Sequence, residues 1–115
     1  MTDCIFCKIA GGEIPAKEVA RTDGALAFHD LNPQAPVHVL VVPLSHLENA
    51  AATDSDEGAR VMTAVMRLSV QVARQLGLEG TGYRLVLNVG KQGGQSVGHL
   101  HVHVLGGRQM TWPPG

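Results

Sequence analysis

Three imidazoles stand at alternate positions late in the sequence, in His99-Leu100-His101-Val102-His103-Val104-Leu105. Side chains alternate faces along a strand, so this spacing predicts one face carrying His99, His101 and His103 and an opposite face carrying Leu100, Val102 and Val104. Histidine has the unperturbed pKa nearest neutrality, so a row of three offers a nucleophile, proton donors or metal ligands. Imidazoles buried together for structure alone would each need a partner to offset desolvation. The intervening Leu and Val residues continue a buried-strand pattern, which sets the run apart from a purification tag.

A neutral ring nitrogen can attack phosphorus, giving a phosphoramidate-type intermediate that water later resolves. His101 has a potential hydrogen-bonding neighbour on each side of its own face and is the candidate nucleophile. His103 or a main-chain carbonyl could hold its tautomer, and Ser96 could donate to the leaving group. Just ahead, Gly93-Gly94-Gln95-Ser96 allows close backbone approach and then supplies an amide and a hydroxyl. Turns of this kind can surround phosphate oxygens, although neither P-loop spacing nor a Gly-Lys-Ser/Thr ending is present. Asp30, just beyond a strand end, suits either a pair of ribose hydroxyls or a turn. Ile5, Phe6, Ile9, Phe28 and Leu40 could sandwich a base or serve simply as core.

Cys4-Ile5-Phe6-Cys7 is a Cys-x-x-Cys pair whose spacing suits half of a tetrahedral Cys₂His₂ zinc site. His46 and His99 are the candidates for the other two ligands, and a His99 that holds zinc cannot be the nucleophile. Buried free thiols and redox work are the alternatives; a redox pair is expected between a strand and a long helix, not this early in a chain. A metal-centred hydrolase using all three histidines fits poorly, because same-face neighbours on a strand lie roughly 6.6 to 7 Å apart and would not converge on one ion.

Local patterns predict the elements that position these groups. Ile5 to Ile9 has helical spacing stopped by Gly11-Gly12, and Glu13 to Arg21 reads as an extended edge. Ala25 to Phe28 reads as a short strand ending at Asp30, and His38 to Val42 as a strand terminated by Pro43. Helix signals begin near Thr53 or Asp54, with Asp56 and Glu57 in the first turn. Apolar residues then recur every three or four positions from Ala59 to Leu76, and Gly77 supplies the stop. Met62 and Met66 read as core packing. Tyr83 to Val89 reads as a strand with Asn88, Arg84 and Val86 on one face, and a short loop into the histidine strand predicts a hairpin. The chain ends in an irregular tail with one large aromatic anchor, Trp112.

With 115 residues, 44 % of them apolar, the chain has material for one hydrophobic core. Only 17 % are charged, which leaves apolar surface for self-association. A formal net charge of −1 gives no electrostatic footprint for long nucleic acid. No run has the length of a membrane span and no basic-apolar leader is evident, so the expected location is cytoplasmic.

The triad, Gly94-Gln95-Ser96, Asp30, Pro33-Gln34-Ala35-Pro36, His38, and the tail Gly106-Gly107-Arg108-Gln109-Met110 with Trp112-Pro113-Pro114-Gly115 together resemble the histidine triad (HIT) family, in its nucleotide-binding, purine nucleoside phosphoramidase branch. The resemblance spans essentially the whole chain. It implies an α+β, HIT-like fold over residues 1–115 as a single domain: a five-stranded antiparallel sheet, one main helix and a short N-terminal helix. It also implies a homodimer with sheets joined across the interface, the tail 106–115 contributing to the dimer and the active-site rim. The implied activity is hydrolysis of the P–N bond of adenosine 5'-phosphoramidates, of the AMP-amine or AMP-lysine type, through a nucleotidyl intermediate on His101. By the same resemblance, Asp30 binds ribose, and Asn88, Ser96 and His103 contact phosphate or support the nucleophile. Gly94 and Gln95 belong to the nucleotide-binding set, His38 orients the catalytic strand, and Trp112 reaches the partner subunit's site. Relatives with cysteines matching Cys4 and Cys7 also carry histidines matching His46 and His99, which adds weight to structural zinc; no organic cofactor is implied. Gly98 and Thr111 depart from the common pattern of tyrosine and histidine. A neighbouring branch cleaves dinucleoside polyphosphates, and a nucleotide-binding interaction module with residual catalysis is the non-enzymatic alternative.

Overall fold

Five strands form one sheet in the computed structural model, which describes residues 3–115. The elements in chain order are α1 (Ile5–Ala10), β1 (Glu18–Arg21), β2 (Ala25–His29), β3 (Val37–Pro43), a 3₁₀ turn (Ala50–Thr53), α2 (Asp56–Gln75), β4 (Tyr83–Val86) and β5 (Val102–Gly106). The strand order is β1-β2-β3-β5-β4, with every neighbouring pair antiparallel. The expected α+β architecture, a five-stranded antiparallel sheet with a main helix and a short N-terminal one, is therefore observed.

Period-two alternation divides the sheet's side chains between two faces, so the single core expected from chain length is instead two clusters. Ala25, Ala27, Val39, Val41, Val102 and Val104 pack on one face against Val65, Leu68, Val72 and Ala73 of α2. Those helix positions recur at spacings of three, four and one, which places them on one stripe. Leu26, Phe28, Leu40 and Val42 occupy the opposite face with Phe6 of α1. His103 pairs with Leu40 in register, so it belongs to this second face.

Capping explains where the helices begin and end. The Ser55 hydroxyl accepts the Gly58 amide at 2.9 Å, Asp56 and Glu57 sit in the positive first turn, and Gly77 takes the left-handed backbone (φ 77°) just past the end. In α1 the cap is unusual, since the Cys4 sulfur accepts the Cys7 amide at 3.4 Å.

Several boundaries differ from the sequence expectation. The extended edge shrinks to Glu18–Arg21, and β3 includes Pro43, which pairs with Ala25. A 3₁₀ turn at Ala50–Thr53 precedes α2, so the cap is Ser55, not Thr53 or Asp54. The ladder of β4 stops at Val86, and β5 starts only at Val102. The two strands do pair, but Leu87 to His101 is a long excursion instead of a tight hairpin loop. Consequently, of the three histidines only His103 lies within a strand. None of the helices among the described residues is long and apolar enough to cross a membrane.

Candidate active site

Two groups of functional side chains lie on either side of Phe6. The first group surrounds a cavity of about 300 Å³ at the second sheet face, a volume at the lower end of small-molecule sites. Ile5, Phe6 and Ile9 from α1, Phe28 from β2 and Leu40 from β3 form its apolar walls. Asp30, Ser96, His101 and His103 form its polar end. Phe6 stands edge-on to Phe28 at 5.6 Å and to His101 at 5.2 Å between ring centroids, so the walls and the polar end are in contact.

Hydrogen-bond geometry assigns the proton on each imidazole. The Gln34 amide donates to His38 Nδ1 at 3.0 Å, which requires that nitrogen to be unprotonated. His38 Nε2–H therefore donates to His103 Nδ1 at 2.9 Å, with the Asp30 carboxylate 3.4 Å away. His103 is left with its proton on Nε2. His101 Nδ1–H donates to the main-chain carbonyl of His99 at 2.7 Å, so the other nitrogen of His101, Nε2, carries the free lone pair. Of the two groups considered for holding the His101 tautomer, the carbonyl does so, while His103 is tied to His38.

Burial favours the neutral forms that this chain of donors requires. Desolvation, with the neighbouring His101 and His38, lowers the His103 pKa to about 4, against the opposing pull of Asp30. Desolvation also lowers that of His38, again opposed by Asp30. Asp30, His38 and His103 lie close enough together to hold an ion, but the 2.9 Å bond between the two rings already uses the lone pair and proton that face one another.

The loop before the triad is held by Gln95. Its Nε2 donates to the carbonyls of Glu48 and Val97 (2.6 and 3.0 Å), and its Oε1 accepts from the Gly90 amide and Asn49 Nδ2 (2.9 and 3.2 Å). That side chain is fully occupied in fastening the loop. Gly94 adopts φ 81° in the same loop, a conformation that only glycine reaches without strain. Neither Gly94 nor Gln95 lines the cavity, nor does half-buried Asn88. Trp112 is 81 % exposed and lies away from the cavity of its own chain.

The second group brings Cys4, Cys7, His46 and His99 together, with one ligand atom from each within 4.8 Å of the others. Cys7 Sγ lies 3.2 Å from His46 Nδ1, Cys4 Sγ lies 3.3 Å from His99 Nδ1, and the two Nδ1 atoms are 3.2 Å apart. Zinc–ligand bonds of about 2.0–2.3 Å in a tetrahedron place neighbouring ligand atoms roughly 3.3–3.8 Å apart, so the donor set fits such an ion. His99 Nε2–H donates to the Pro43 carbonyl at 3.1 Å, which leaves Nδ1 as a lone pair aimed into the cluster. Burial and the adjacent Cys4 raise the Cys7 thiol above its ordinary pKa, a cost that a bound cation would relieve.

Sequence reasoning missed Ile14, Pro15, Ala16, Lys17, His29, Leu31 and Val97, which also line the cavity. Ile14-Pro15-Ala16 could have been found as a proline-stiffened apolar segment between two elements. The Gln34 amide that sets the His38 tautomer carries no signal in residue identity, because every non-proline residue offers the same donor.

Comparison with known proteins adds a consistent background. The HIT domain family model matches residues 11–110. An uncharacterized HIT-like protein of Synechocystis is 47 % identical over 113 residues, covering 98 % of this chain and 97 % of that protein. A protein of Zea mays named as a 14 kDa zinc-binding protein is 46 % identical over 112 residues, covering 96 % of this chain and 87 % of the relative. Among solved structures, a HIT family hydrolase from Legionella pneumophila superposes with a TM-score of 0.93 at 47 % identity, covering 98 % of this chain and all of that one.

Proposed function

The chain belongs to the HIT domain family, and from that premise we propose that it is a purine nucleoside phosphoramidase, hydrolysing the P–N bond of adenosine 5'-phosphoramidates. The observation that carries the proposal is the His101 tautomer. With Nδ1–H on the His99 carbonyl, Nε2 is the nitrogen left to act from the polar end of the cavity.

In the first step His101 Nε2 attacks phosphorus, a P–N(His) bond forms, and the bond to the substrate amine breaks as that nitrogen takes up a proton from solvent. Ser96, among the residues lining the cavity, supplies a hydrogen bond to the leaving group. His103 Nε2–H donates to a phosphoryl oxygen, where negative charge grows. Water then attacks the same phosphorus and gives up a proton to solvent, the P–N(His) bond breaks, and AMP leaves with His101 restored. Asp30 holds the ribose, and Ile5, Phe6, Ile9, Phe28 and Leu40 enclose the purine. Asn88, Gly94 and Gln95 support the phosphate side by position, Gln95 acting through the loop it fastens. Trp112 serves the site of a partner subunit, in a homodimer whose sheets join across the interface.

Cys4, Cys7, His46 and His99 would hold a structural zinc ion, a reading supported by their donor chemistry and by the zinc-binding name of the maize relative. When bound, the ion supplies cross-linking of α1 to the segments carrying His46 and His99. The cytoplasm is the proposed location.

Steady-state hydrolysis of an adenosine 5'-phosphoramidate beside diadenosine polyphosphate tests this reading. We expect preferential phosphoramidate turnover that falls by at least ~10³-fold in His101→Ala. Preference for the polyphosphate would assign the chain to the neighbouring hydrolase branch, and turnover unaffected by the substitution would remove His101 as nucleophile.

A further inference from the structure

We propose that the Cys4, Cys7, His46 and His99 cluster is a positioning element of the nucleotide site, so that metal occupancy and nucleotide affinity are linked through His99 and α1. The inference rests on the reading of the cavity as a nucleotide site and of the cluster as a zinc centre.

His99 serves both places with different atoms. Its Nδ1 faces His46 and Cys4 in the cluster, while its main-chain carbonyl accepts the His101 Nδ1–H at 2.7 Å and so fixes which nitrogen of His101 is free. The other side-chain nitrogen is fastened to the Pro43 carbonyl, and the next residue's amide, that of Leu100, donates to the Leu47 carbonyl at 2.6 Å. A displacement of the His99 ring away from the cluster therefore cannot be absorbed by side-chain rotation alone. It shifts the carbonyl that holds His101.

The second route runs through α1. A helix of six residues has too few hydrogen bonds to stand alone, so its place depends on what fastens it. Cys4 and Cys7 bracket Phe6, whose buried ring meets His99 at 5.9 Å and His101 at 5.2 Å between centroids. Ile5, Phe6 and Ile9 of the same helix line the cavity. Ligation through the two sulfurs fixes the helix end, and with it one wall of the pocket. None of Cys4, Cys7, His46 and His99 lines that cavity. A ligand in the pocket therefore has no cluster side chain in the lining around it, and the linkage runs through the His99 carbonyl and through α1.

The probe is AMP, titrated calorimetrically into zinc-loaded and chelator-stripped protein whose folds are compared by far-ultraviolet circular dichroism. Removal of the metal should weaken AMP binding roughly tenfold, and saturating AMP should strengthen zinc binding in chelator competition by the same factor. In protein loaded with Co²⁺ in place of zinc, AMP should shift the visible d–d bands. This readout needs no metal-free protein, and it decides the question if the stripped chain unfolds. Equal AMP affinity in folded stripped and loaded protein, or cobalt bands unmoved at saturating AMP, overturns the proposal. Absence of AMP binding even to the loaded protein would overturn the nucleotide-site reading, and absence of metal uptake the zinc reading, each taking the linkage with it.

Discussion

His38 shows how much of the site's chemistry hangs on a single main-chain donor. The Gln34 amide bonds its Nδ1, its Nε2–H then bonds His103, and the proton of His103 is thereby sent to Nε2. Replacing His38 with Ala removes the donor that selects this tautomer while leaving His101 and its carbonyl partner in place. We expect kcat for phosphoramidate hydrolysis to fall on the order of 10²-fold, with KM changed far less, because the substituted side chain does not line the cavity. Steady-state kinetics of His38→Ala checks this, and a change confined to KM would contradict the relay. The candidate nucleophile and serine were legible from residue type and spacing. The direction of each proton was not, because it depends on carbonyls and amides that residue identity leaves unmarked.

At the scale of elements, β5 must lie between β3 and β4 and still leave room for the end of α2. Gly106 allows this: a Cβ built there would stand 2.6 Å from both terminal methyls of Leu78, itself buried just after the helix. Gly106→Ala forces Leu78 out of its seat, and we expect a loss of about 1–3 kcal/mol in urea-monitored stability. Retention of wild-type stability would show that the loop after α2 yields freely. The same strand explains where the periodicity argument reached its limit. Alternation correctly separates His103 from Val102 and Val104, since it is a property of the extended backbone. Strand limits depend on a partner: the β3–β5 register ends at Val41 opposite Val102. Beyond that pair the chain leaves the ladder, which carries His99 to the cysteines instead of into a row.

The whole molecule carries the consequence of burying neutral imidazoles. His38 and His103 have folded-state pKa values below the unfolded value near 6.5. Between pH 6.5 and about 4 the unfolded chain therefore binds more protons than the native one, and stability falls as pH is lowered. His103 alone contributes a slope on the order of 1 kcal/mol per pH unit across that window, and its contribution is complete above about pH 6.5. Urea midpoints at several pH values should decline less steeply in His103→Asn than in wild type; parallel slopes would show that His103 titrates freely in the fold. By itself the sequence determined the helix and strand types, the two-faced sheet and the identities of the candidate site residues, because periodicity, caps and side-chain chemistry are local. Only the tertiary structure decided which of those residues share a site. It separated His99 from His101 and His103, joined it to Cys4, Cys7 and His46, and left Asn88, Gln95 and Trp112 outside the cavity. Such groupings follow from where distant backbone segments meet, and spacing along a chain does not specify distance across it.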